Sequence, residues 1–138
     1  MPTRMLSGAC LVVMVLASGA VASSGDRVGT GRQSAAVYLG EPTLIGSTIV
    51  QGPVLFTHDD TRMARGEPCT SVRLFDPATG KTEEIAAFHC IARPRAVVRT
   101  FTIRTRPNVE LGFGCVLTEY QFAGDAEGHG VPSQANAH

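Results

Sequence analysis

Tryptophan is absent from the chain, lysine occurs once (Lys81) beside eleven arginines, and tyrosine occurs twice. Aromatic side chains are the platforms on which single-stranded nucleic acids and sugars stack, so their scarcity weighs against both ligands. Charge points the same way. Twelve basic and twelve acidic residues cancel, and a neutral chain has no long-range field to gather nucleic acid or an anionic membrane surface. There is no Cys-x-x-Cys, His-Glu-x-x-His, Cys-x-x-Cys-His or Gly-x-Ser-x-Gly. The usual zinc, metalloprotease, haem-attachment and serine-hydrolase spacings are therefore missing. Beyond the first two dozen residues no long 3.6-residue apolar period occurs, which argues against a helical domain.

What is present begins with an apolar leader. Arg4 supplies a positive start, residues 11–16 are an unbroken apolar run, and Ala20-Val21-Ala22 offers the small residues of a cleavage site. The run is too short to cross a bilayer, so residues 1–22 read as a removable signal peptide. Cys10 lies inside that run, and Ser7 stands where a lipidation site needs a bulky residue, so a lipid anchor is not expected. The expectation is export to the periplasm or the medium, with no membrane insertion after cleavage. The arginine-over-lysine skew fits a GC-rich bacterial genome.

Residues 23–35 are small, polar and glycine-rich and read as a flexible leader; 124–138 read as a flexible tail of the same kind. The β domain is then residues 36–123. Strands are expected at 36–39, 43–50, 54–57, 70–75, 82–89, 96–105 and 111–122, where β-branched and apolar residues run between Gly, Pro, Asn and Asp breaks. One helical turn at 61–65 can be capped by Asp59 or Asp60 and ended by Gly66. Asp76-Pro77-Ala78-Thr79-Gly80-Lys81 joins two of the runs with hairpin chemistry, Pro77 presetting φ and Gly80 taking a positive one. The pattern predicts an all-β protein: a small antiparallel β-sandwich or barrel of about six or seven short strands.

Cleavage would leave Cys69, Cys90 and Cys115 in an oxidising compartment, where two tend to pair. Cys69 and Cys90 lie almost symmetrically about the turn. A regular hairpin puts them on one face within bonding reach, which predicts a Cys69–Cys90 disulfide unless a one-residue bulge intervenes. Val72, Leu74, Ile85, Ala87 and His89 form the other, core-facing side. Arg73 and Glu84 make a cross-strand ion pair. Cys115, between Phe113 and Leu117, reads as a buried small hydrophobe.

Three chemistries are open to these residues. A metal site is the sharpest: His58, Asp60, His89 and His129 supply nitrogen and oxygen donors, with Cys69 and Cys90 as further sulfur donors, a set suited to zinc or copper. Catalysis would use Cys115 or Cys90 with His58 or His89, and Glu119 as an acid, but apolar neighbours disfavour a thiolate. Anion binding would use the block Arg93, Arg95, Arg99, Arg104 and Arg106, which a single regular strand would split between its two faces. The sequence therefore predicts an exported, non-enzymatic binding or structural module without a cofactor, one that takes a protein partner along a sheet edge. Its alternative is a zinc- or copper-binding protein.

Overall fold

The computed structural model describes residues 31–133. Strand β1 (Arg32–Ile45) runs antiparallel to β2 (Thr48–Asp59), and the hairpin closes through Gly46, at φ 62°, and Ser47. Two-residue hairpin loops require positive φ, which glycine adopts without strain. A short helix α1 (Asp60–Ala64) follows. Then come β3 (Thr70–Phe75), β4 (Thr82–Phe88), β5 (Ile91–Pro94), β6 (Thr102–Pro107), β7 (Cys115–Gln121) and β8 (Glu127–Gly130). Asp59 caps α1 by accepting from the Thr61 and Arg62 amides, which satisfies donors that the first turn leaves unpaired.

One sheet contains all the strands, in the order β4-β3-β2-β1-β7-β8-β5, with β6 also paired to β7. Every pairing is antiparallel except β1 with β7, which is parallel through Thr43↔Cys115 and Leu44↔Val116. The all-β expectation holds; the closed sandwich or barrel does not. The sheet is an open, curled half-barrel, because among the described residues β4, β5 and β6 each have a single neighbour. The curl is deep enough that Thr70 on β3 hydrogen-bonds the hydroxyl of Tyr120 on β7, although β2 and β1 separate those strands in the sheet.

Phe56, Val54, Val72, Ile103, Leu117, Tyr120 and Phe122 are buried together in the core. Phe56 and Tyr120 lie 5.2 Å apart at their ring centroids, and Tyr120 meets Phe122 edge-on at 5.7 Å. Such contacts add to the roughly 1.5–3 kcal/mol that burying each large apolar side chain contributes.

Several sequence-derived boundaries move. The expected signal peptide 1–22, most of the expected leader 23–35 and residues 134–138 of the expected tail lie outside the described residues. Within them, Arg32–Ala35 belong to β1 and pair with Asp59–Phe56, so the strand starts earlier than composition indicates. Arg32, Gln33 and Ser34 are exposed and are ordered by pairing with β2, while Ala35 packs against the core. The expected flexible tail contains β8, which pairs with both β5 and β7. The expected strand at 43–50 contains the Gly46 turn, and Gly52-Pro53, expected as a break, lies inside β2. The hairpin at 70–89 forms as expected, with the Asp76 amide donating to the Lys81 carbonyl at 2.9 Å and Gly80 at φ 70°.

Candidate metal centre

His58 lies near the end of β2 and pairs across the sheet with Thr70. Past the helical turn, the chain returns at Cys69, whose carbonyl accepts the Asp59 amide at 2.9 Å. That bond extends the β2–β3 ladder and brings Cys69 beside the end of β2. Cys90 sits in the two-residue link between β4 and β5, and His129 is the third residue of β8. Four chain segments, distant in sequence, thus meet at one end of the curl.

One ligand atom each from His58, Cys69 and Cys90 lies within 4.8 Å of the other two. The sulfurs of Cys69 and Cys90 are 2.9 Å apart, and the Cys90 amide donates to Cys69 Sγ at 3.2 Å. His129 Nδ1 lies 3.6 Å from Cys90 Sγ. Its ring stacks on Tyr120 at 4.9 Å and packs 4.4 Å from the ring of His58. His58, Cys69 and His129 are 3%, 2% and 1% exposed, and Cys90 is half-buried.

Two nitrogens in this cluster are buried without a hydrogen-bond partner, His58 Nδ1 and His129 Nε2. Asp60 Oδ1 is 3.5 Å from His58 Nδ1, too far for a good hydrogen bond. Burial, with Cys69 beside it, pushes the Cys90 thiol up to about 12. Burial also pulls His129 down to about 4, the neighbouring His58 adding to the effect. Both shifts favour the uncharged forms of Cys90 and His129, and a buried polar atom without a partner, such as His58 Nδ1 or His129 Nε2, costs free energy.

Of the four expected metal donors, the fold brings His58 and His129 together and places Asp60 at the rim, its side chain 55% exposed. His89 is excluded: it is exposed and points away from the core. The cause is a bulge in the β3–β4 hairpin. Arg73↔Glu84 and Leu74↔Glu83 keep the turn register, but beyond them Val72 pairs with Ala86 and Thr70 with Phe88, leaving Ile85 as the extra residue. The extra residue reverses the faces, so Ala86 and Phe88 pack on the core while Ala87 and His89 turn out.

The same bulge removes the regular-register argument for Cys69 and Cys90. They still meet, because the chain bends out of β4 after Phe88, but they meet as unbonded thiols. The Arg73–Glu84 pair forms at 3.5 Å.

The other candidate residues have structural tasks. Cys115 is buried as expected, but it is disulfide-bonded and not a free thiol. Glu119 is buried and accepts from Arg95 at 2.9 and 2.8 Å and from Arg104 at 2.8 Å, with Arg93 at 3.9 Å. The Arg95 hydrogen bonds above all hold its carboxyl below the usual carboxylate range, so it is a fixed anion and not an acid catalyst. Arginines expected on opposite faces therefore converge. They do so because residues 93–106 are not one strand but two, β5 and β6, joined by an irregular segment.

No protein-family model matches the chain, and no curated protein and no solved structure matches it.

Proposed function

We propose that this chain is an exported, non-enzymatic metal-binding module that takes zinc(II) or copper(I) on Cys69, Cys90 and His58, with His129 as the fourth donor. The observation that carries the reading is the convergence of two sulfurs and a buried imidazole within 4.8 Å. Soft thiolates with imidazole favour these two metals over magnesium or calcium. At metal–sulfur distances of about 2.3 Å, tetrahedral geometry separates two sulfurs by about 3.8 Å. The pair would thus open by a little under 1 Å from its present 2.9 Å, within the reach of a side-chain rotation. Four protein donors leave no position for substrate, which makes the ion a structural staple and not a catalyst. It would tie the β2–β3 arm to the β4–β5 link and to β8.

A second reading is favoured by the 2.9 Å separation of the sulfurs: in an oxidising compartment Cys69 and Cys90 close as a disulfide. Each thiol gives up one proton and one electron, and an oxidant such as glutathione disulfide is reduced to two thiols. Disulfide and bound metal exclude each other, because the metal needs both thiolates. In either state β4 has one edge unpaired among the described residues, on which an extended protein segment can add a strand.

Elemental mass spectrometry of the purified full chain, with thiol mapping on the same sample, separates these readings. About one equivalent of zinc or copper, lost in Cys69→Ser, supports the metal site. A mapped Cys69–Cys90 bond without metal supports the second reading, and metal-free free thiols that stay so after zinc or copper(I) is added overturn the first.

A further inference from the structure

Two arginines stand at the margin of the network around Glu119. Arg95 and Arg104 already occupy the carboxylate, so Arg93 approaches it only to 3.9 Å. Among the described residues Arg106 donates to the carbonyl of its own neighbour Pro107, at 3.5 Å, and forms no ion pair. Both side chains border one groove of about 500 Å³, whose walls include Leu44, Ile91, Val116 and Val131. Glu110 is the only acid lining it and forms no ion pair among the described residues. Two guanidiniums against one carboxylate leave the groove one unit positive.

The lining is about half apolar and half polar, and a groove of this volume that combines apolar side chains with a few charged groups is suited to a small amphipathic molecule. Guanidinium forks match a carboxylate in a geometry that a lysine ammonium does not. The strand beneath makes room for one of them: a Cβ on Gly130 would lie 2.9 Å from Arg93 Nε, so glycine there lets Arg93 lie across β8. We propose that the groove binds a small organic monoanion, a carboxylate on an unbranched apolar body, with its head between Arg93 and Arg106 and its body against Leu44, Ile91, Val116 and Val131. None of the four proposed metal donors lines the groove, so the site stands or falls independently of the metal reading.

Titration calorimetry of the full chain with decanoate below its micelle concentration tests this, with acetate and decanol as the head-only and tail-only controls. Decanoate binds at about one equivalent, and each control binds at least about tenfold more weakly, the effect of losing a charge-assisted hydrogen bond or the apolar contact. Arg93→Gln with Arg106→Gln weakens decanoate by about tenfold or more, while far-ultraviolet circular dichroism stays unchanged. If that double variant unfolds, the exposed Arg106→Gln alone still weakens binding several-fold. Absence of decanoate binding, equal binding of decanol, or unweakened binding by a folded double or single variant overturns the proposal.

Discussion

The rings of His58 and His129 lie 4.4 Å apart at their centroids, although one residue lies near the end of β2 and the other belongs to β8, the last strand described. Both side chains are almost fully buried, and each keeps a nitrogen without a hydrogen-bond partner. Packing alone gives no reason to bring two imidazoles into a site where neither is fully satisfied. The ion proposed above, held beside Cys69 and Cys90, would give both rings a task.

Zinc should therefore stabilise the protein through that cluster. With free zinc at about a hundred times its dissociation constant, the expected gain is about 2.7 kcal/mol, visible as a rise in the thermal midpoint. Cys69→Ser and His58→Ala should abolish the shift. An equal shift in both variants would place the ion elsewhere.

His89→Ala should behave as wild type in metal content and stay within about 0.5 kcal/mol of its stability, because the side chain is exposed and outside the cluster. His129→Ala, by contrast, removes a buried ring stacked on Tyr120 and should lower both. Loss of metal in His89→Ala would mean that the hairpin bulge does not exist in solution.

The metal-free protein should lose stability on mild acidification. His129 is pulled from 6.5 down to about 4 by burial, so the folded chain keeps its imidazole neutral while the unfolded chain protonates it. Between those values the unfolded state binds more protons, and stability rises with pH. The contribution is full above 6.5 and is lost as the pH falls towards and through about 4. Urea midpoints between these two pH values, read beside the imidazole resonances, check this; a His129 signal titrating near its ordinary value would refute it.

Glu119→Ala should be among the most damaging single changes. It would strip the shared partner from Arg93, Arg95 and Arg104, and breaking a buried ion pair from one side costs about 3–5 kcal/mol. Arg95→Ala should cost clearly less, since its side chain is 39% exposed and Arg104 remains on the carboxylate. Urea denaturation of both variants gives the order, and equal losses would show that the carboxylate is not the centre of the network.

The local elements were legible where local chemistry decides them. Asp76, Pro77 and Gly80 specify their turn, and Asp59 caps a helix that Gly66 ends, at φ 75°. The misreadings share a cause. Gly52-Pro53 punctuates a sequence yet sits within β2, and Glu127–Gly130 looks like tail yet is a strand. In both places pairing with distant strands outweighs local propensity. Gly128 is explained only by its neighbours, since a Cβ there would meet Glu119 Oε2 at 2.8 Å.

The candidate site divides the same way. His58 and His129 could be named from sequence as donor types, and Cys69 and Cys90 as neighbours across a hairpin. The exclusion of His89 depended on a single extra residue, Ile85, which no composition rule locates.

By itself the sequence determined an all-β chain, its hairpin turn and the short list of donors, because turn dihedrals and strand propensity act over a few residues. Only the tertiary structure decided the open curl, the meeting of β2 and β3 with β8, and the arginines brought to the groove. Those depend on which distant strands pair and in what register, and a shift of one residue exchanges every inward side chain for an outward one.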